Sequence, residues 1–162
     1  MPTSSRRTGR RMRRSSVLSA ALLVLPVVCS AQAAVDGKKV YATICQACHQ
    51  ATGAGVDEKY PPLDGSEWVV DDAKIVRIIL HGLGGPIEVA GQPFDAVMPP
   101  WGPTLKDAEI AAVATYVRSA WGNKSAPISA ASVAAIRSAH ATRTSMWTAK
   151  ELVQLPPRGK PD

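Results

Sequence analysis

Cys45-Gln46-Ala47-Cys48-His49 is the stretch that decides how this sequence is read. Two cysteines three positions apart, followed at once by histidine, form the attachment signature of c-type haem. One helical turn carries the two sulfurs to the two vinyl edges of a porphyrin, and the next residue then lies under the ring centre, where an imidazole reaches iron. Cys45 and Cys48 are therefore the candidate thioether residues, and His49 is the candidate axial ligand. A thioredoxin-like redox pair would call for a strand–helix setting, which does not flank the motif. A structural zinc site would need a second pair of ligands. The other histidines, His81 and His140, stand apart in the sequence, and the third cysteine, Cys29, falls in a segment expected to be removed.

Upstream, the charge pattern explains that expectation. The 162-residue chain has a formal charge of +6, but six arginines from Arg6 to Arg14, with no acid among them, account for all of it. Setting them aside leaves 13 of the 19 basic residues against 13 acids, so the remainder is neutral and gives no charge argument for nucleic-acid binding. Behind the arginines runs an apolar stretch, Val17 to Val28, and then Ser30-Ala31-Gln32-Ala33-Ala34. A basic start, a short apolar core and an Ala-x-Ala site read as a secretory signal peptide over residues 1–33, cut after Ala33 or, next in order, Ala34. About a dozen apolar residues broken by Pro26 fall short of the ~20 that cross a bilayer. Cys29 as a lipid-anchor site is disfavoured by Pro26-Val27-Val28 in front of it, and Arg13-Arg14 gives weak grounds for twin-arginine export. Export places the mature chain in the periplasm. With Cys29 gone, both remaining cysteines are assigned to haem rather than to a disulfide.

Downstream, Asp36 is placed to cap a first helix carrying Val40, Tyr41 and Ile44 into the motif. Gln50 to Gly65, with Gly53, Gly55, Pro61, Pro62 and Gly65, reads as an ordered loop that wraps the histidine side of the ring. A second helix follows from Asp71 or Asp72 to Gly82, with Ile75, Val76, Ile78, Ile79 and Leu80 too densely apolar for a single buried face. His81 at its end reads as a helix-capping or propionate-facing residue rather than an iron ligand. Ile87 and Val89, a turn at Gly91-Gln92-Pro93 and a return at Phe94 suggest a small hairpin. Met98, followed directly by Pro99-Pro100, is the candidate second axial ligand, because a thioether is a soft donor suited to haem iron and the prolines restrict the backbone that must hold it. The last core helix, capped at Thr104 or Asp107, is expected to run to Trp121 with Ile110, Val113, Ala114, Val117 and Trp121 on one stripe.

Taken together, the haem motif, Pro61-Pro62-Leu63-Asp64-Gly65, Met98-Pro99-Pro100 and a terminal amphipathic helix resemble class I cytochromes c over residues 36–123. The resemblance implies an all-α fold, with three to four short helices around one covalently bound haem. It implies a close crossing of the first and last helices, with Gly37 and Tyr41 against Val113 and Tyr116. It also gives Pro61 the role of accepting the proton from the second nitrogen of His49. Gly82-Leu83-Gly84-Gly85-Pro86-Ile87 and Val117-Arg118-Ser119-Ala120-Trp121-Gly122-Asn123 are further similar to single-haem subunits or domains of bacterial periplasmic dehydrogenases and of some copper nitrite reductases. With His49 and Met98 both on iron, no position is open to substrate. The expected function is one-electron carriage in the periplasm, from a dehydrogenase to a terminal oxidase or reductase, with no catalytic residue. The alternatives are a haem enzyme or gas or peroxide sensor with a labile sixth ligand, and a fixed electron-transfer subunit of a larger oxidoreductase.

Residues 124–162 form a C-terminal extension beyond that core. Ser129 is placed to cap a helix with Val133, Ile136 and His140, and Thr148-Ala149-Lys150-Glu151 is a capping-box pattern ahead of Leu152 and Leu155. From Pro156 onward the end is expected to be disordered. Asp36 to Trp121 holds 7 basic and 11 acidic residues, whereas Gly122 to Asp162 holds 6 and 2. The tail either folds back on its own acidic body or serves as a docking arm for a redox partner.

Overall fold

The computed structural model describes residues 34–155; the expected signal segment 1–33 and the expected disordered end from Pro156 lie outside the described residues. The first helical segment is continuous but not uniform. It runs as α1 (Gly37–Val40), a π-helical turn (Tyr41–Cys45) and α2 (Gln46–His49). The Asp36 carboxylate caps it by accepting from the N–H groups of Lys38 and Lys39, at 3.0 and 3.2 Å. The wide turn closes when the Gln46 N–H donates to the Tyr41 carbonyl, five residues back. Such turns insert one residue into the helical phase and recur at functional sites. This one contains Cys45, and no local pattern in the sequence foretells it.

Two more helices follow the ordered loop. The hydroxyl of Ser66 caps the short α3 (Glu67–Val70), and the Asp71 carboxylate caps α4 (Asp72–His81) through the N–H groups of Ala73 and Lys74. The density of branched residues in α4 has the expected consequence: Ile75, Val76, Ile78, Ile79 and Leu80 are all buried. A two-stranded antiparallel hairpin comes next, β1 (Ile87–Val89) and β2 (Gln92–Phe94), with Ile87 opposite Phe94. Its turn lies one step earlier than the sequence suggested. Ala90 and Gly91 are both at positive φ, 49° and 75°, as a two-residue hairpin turn requires, and Gln92 and Pro93 belong to the strand.

The last core helix, α5 (Asp107–Ser119), is capped neither by Thr104 nor by Asp107. The Glu109 carboxylate reaches back instead to the N–H of Lys106, at 2.8 Å. Ile110, Val113, Ala114 and Val117 form the buried stripe. Trp121 does not extend it, because the helix ends at Ser119 and Trp121 has left-handed backbone with φ of 53°. Its ring packs instead on Tyr41 and Tyr116, with centroids at 5.3 and 5.7 Å. Where α1 crosses α5, a Cβ on Gly37 would run into the Ala112 carbonyl, so only glycine permits this approach. Tyr41 and Tyr116 close the same crossing at 5.4 Å.

The extension packs onto this body. Ser129 caps α6 (Ala130–Ala139), and Thr148 and Glu151 form the capping box of α7 (Ala149–Gln154). Val133 and Ile136 enter the cluster formed by α4 and α5, while Trp147 and Leu152 complete a second cluster with Ile78, Leu83 and the hairpin. Two of the basic tail residues are engaged inside the chain. Arg137 Nε meets Asp107 at 2.7 Å and its other nitrogens donate to the carbonyls of Gly102 and Leu105, while Arg143 pairs with Glu151 at 3.0 Å. No helix among the described residues is long and apolar enough to cross a membrane.

Arg118 joins these parts from within. Only 5% exposed, it donates to the carbonyls of Val69 and Val70 at 2.6 Å and to that of Ala126 at 3.0 Å. Arg118→Met keeps the stem and removes the donors. The haem-loaded protein should lose about 2–4 kcal/mol of unfolding free energy, since a buried carbonyl left without a donor costs ~1–3 kcal/mol. The measurement is the denaturant midpoint at unchanged slope. A loss under ~1 kcal/mol would show that those carbonyls find other partners.

Candidate functional site

Cys45, Cys48, His49, Pro61 and Met98 line one crevice that opens to solvent. The rest of its lining is largely apolar and includes Ile44, Leu83, Ile87, Phe94 and Trp101. The sequence separates these residues by more than fifty positions, and the fold brings them to one surface because α2, the ordered loop, the hairpin and the Met98 segment all face the same space.

His49 is buried, and its Nδ1 lies 3.0 Å from the Pro61 carbonyl. A carbonyl only accepts, so Nδ1 carries the proton and Nε2 presents its lone pair. Burial holds the imidazole pKa below its ordinary value, against the smaller opposing effect of the Pro61 bond. The ring is therefore neutral near pH 7, the state a metal ligand needs. Pro61 owes its position to the loop's own hydrogen bonds. Gly55 N–H donates to the His49 carbonyl, Val56 and Tyr60 pair as a bridge, and the Gly53 carbonyl receives Leu63 and Asp64. Tyr41 anchors the same end of the helix by donating its hydroxyl to the Gln50 carbonyl at 2.6 Å.

Cys45 and Cys48 are not paired in a disulfide. Burial, and secondarily the neighbouring Cys48, push the Cys45 thiol up to about 11. A catalytic or redox thiol depends on easy access to its thiolate, so this environment is the reverse of a thioredoxin-like pair. Met98 sits where the two apolar clusters meet and is partly buried against both. Its main chain pairs with Leu83 in both directions, N–H to carbonyl, at 2.9 and 3.0 Å. Beyond the two prolines, Trp101 and Gly102 donate to the carbonyls of Ile79 and Leu80, fixing the segment to the end of α4.

His81 does not line the crevice. It is partly buried against Trp147 and His140, with ring centroids at 6.3 and 6.2 Å. Burial first, then Arg143 and Arg137, hold its pKa below the ordinary value. The expected charged helix cap is thus a side chain under the tail, where burial disfavours the charged form. The reason lies some sixty residues downstream, out of reach of a local reading. The pairing of Leu83 with Met98 on one side and with Trp147 on the other also escaped the sequence reading, since nothing in their neighbourhoods marks it.

Two thiols, a neutral imidazole and a thioether around an apolar crevice fit the donor set of a covalently held c-type haem. Bound there, the group supplies a one-electron iron couple, and the chain supplies attachment, ligation and exclusion of water. Among the described residues, no group of three or more His, Cys, Asp or Glu side chains could hold a separate metal ion.

Comparison with known proteins agrees with this chemistry. Residues 32–117 match the family described as cytochrome c oxidase, cbb3-type, subunit III. The chain is 40% identical over 108 residues to cytochrome c-552 of Thermus thermophilus, a match covering 64% of this chain and 70% of that protein. It is 34% identical over 109 residues to the cytochrome c subunit of a quinone alcohol dehydrogenase from Gluconacetobacter polyoxogenes, covering 65% of this chain and 23% of the subunit. It is also 37% identical over 101 residues to the cbb3-type cytochrome c oxidase subunit CcoP of Azospirillum brasilense, covering 58% of this chain and 30% of the subunit.

Proposed function

This chain belongs to the cytochrome c family that includes cbb3-type oxidase subunit III, it is an electron-transfer protein with covalent haem c, and from that premise we propose that it works as an exported periplasmic carrier. In this reading Cys45 and Cys48 hold the haem through thioethers, His49 and Met98 are the axial ligands, and Pro61 orients His49. The observation that carries it is that His49, neutral and with its Nδ1 proton fixed on the Pro61 carbonyl, lines the same apolar crevice as Met98. Two protein ligands leave iron no open position, so electrons pass while small molecules are excluded.

The carrier exchanges electrons with other redox proteins, taking them from a dehydrogenase and delivering them to a terminal oxidase or reductase. The relatives that are named as cytochrome subunits of a dehydrogenase and of an oxidase support both ends of that route. They equally support a second reading, in which the chain is a fixed subunit of such an enzyme. Purification of the exported protein distinguishes the two: the carrier elutes alone, the subunit with its enzyme.

The ligation is tested by absorption. The oxidised protein should be low-spin with a methionine–iron charge-transfer band, and the reduced protein should not change rapidly under carbon monoxide. A high-spin spectrum with fast carbon monoxide binding would overturn the carrier in favour of a sensor or haem enzyme.

A further inference from the structure

The backbone of residues 82–84 runs between two segments, and those segments belong to different parts of the chain. On one side Leu83 pairs with Met98 as an antiparallel bridge. On the other it pairs with Trp147 of the extension as a parallel bridge. The second bridge is made by Gly84 N–H to the Trp147 carbonyl at 2.9 Å and Trp147 N–H to the Gly82 carbonyl at 3.0 Å. The three segments touch without a gap. A Cβ on Gly82 would lie 2.6 Å from the Met98 carbonyl and 3.0 Å from Met146 Cγ.

We propose that Trp147 is a positioning residue for Met98: through Leu83, the C-terminal extension holds the methionine segment in place and so keeps the sixth ligand on iron. This rests on the reading of Met98 as that ligand. Three observations converge on it. Trp147 is 4% exposed and packs with Leu83 and the hairpin in the cluster that Met98 also touches. It is itself clamped, with Arg143 stacked 3.4 Å from its ring centroid and His140 edge-on at 5.1 Å. Arg143 is fixed in turn by Glu151 and by the carbonyls of Ser145 and Met146. Finally, the indole N–H has no partner among the described residues, so the ring is held by packing and by its backbone rather than by a side-chain hydrogen bond. A ligand segment fixed on one side only would open by local fluctuation, and free energies of local opening depend on the contacts that brace the segment.

The test uses the full exported haem-loaded protein and imidazole as an external ligand for oxidised iron. Trp147→Ala should speed imidazole binding by at least about tenfold and weaken the methionine–iron band, with haem still attached. Trp147→Leu, a milder truncation, should move both readouts the same way by less, which covers the case in which the alanine variant does not accumulate. Val133→Ala truncates a fully buried residue of the extension that packs with α4 and α5 and, unlike Trp147, makes no backbone bridge to Leu83. It should lower the melting temperature and leave imidazole binding unchanged. The proposal is overturned if the Trp147 variants only melt earlier, or if Val133→Ala accelerates imidazole binding in the same proportion to its stability loss. A wild-type protein lacking the methionine–iron band would instead refute the ligand reading itself, and the two failures are told apart before any variant is made.

Discussion

Met98→Ala is expected to abolish the methionine–iron charge-transfer band, to lower the reduction potential by on the order of a hundred millivolts or more, and to let carbon monoxide bind the reduced protein rapidly. A neutral, polarisable thioether favours the reduced iron, and His/Met ligation raises the potential of cytochromes c. Removing it opens one position to water and to external ligands. The fold should tolerate the change, because the features that hold this segment are backbone pairing with Leu83 and the bonds from Trp101 and Gly102 to α4, none of which needs the Met98 side chain. The loss would therefore appear in spectrum and potential at nearly unchanged haem content. Met146→Ala provides the comparison. Met146 is 37% exposed, does not line the crevice, and should leave the potential where it is. If the two variants had equal potentials, the sulfur ligand would not be Met98.

Much of this was legible from residues close together in sequence. The haem motif, the caps at Asp36, Asp71, Ser129 and Thr148, the saturated burial of α4 and the stripe on α5 each follow from side chains within a few positions of one another, where periodicity and hydrogen-bonding geometry determine the outcome. The hairpin turn and the cap of α5 differ from expectation by a position or a few, within local geometry. The larger differences come from contacts over longer range. Trp121 follows the apolar spacing of α5 but leaves the helix, because Tyr41 and Tyr116 offer its ring a site that the helical position would not reach. His81 sits where a charged cap would suit the helix end, yet the tail buries it beside two arginines and keeps it neutral. Arg118 has no local mark of burial in the sequence, yet it is the internal tie between α3 and the start of the extension. The bridge from Met98 through Leu83 to Trp147 has no local signature, since it depends on backbone groups whose residue identities carry no information. The same holds for the π-helical turn at Cys45.

The protein with Cys45→Ser and Cys48→Ser, made without haem, is expected to show no cooperative thermal or urea transition. The class I core spans roughly ninety residues, a size at which the apolar surface buried by the chain alone leaves little margin. Its crevice is walled by Ile44, Leu83, Ile87, Phe94, Met98 and Trp101, drawn from the first helical segment, the link after α4, the hairpin and the segment before α5. The chain itself already buries Leu83, Ile87 and Phe94, so the porphyrin adds cover for the half-buried Ile44, Met98 and Trp101. At ~1.5–3 kcal/mol for full burial of such a side chain, even these three are comparable with the lower part of the 5–15 kcal/mol net stability of a whole domain. Without the ring, the hairpin and the haem-motif turn share little apolar contact, whereas α4, α5 and α6 still bury Val76, Ile110, Val113 and Val133 among themselves. Residual helix in that region with a broad, sloping melt is therefore the expected form of this variant, and the haem-loaded wild-type protein should show a single sharp transition. A cooperative melt of the double serine variant, with a urea slope matching that of the haem-loaded protein, would mean that the extension alone completes the core and that the porphyrin is a passenger in a fold already made.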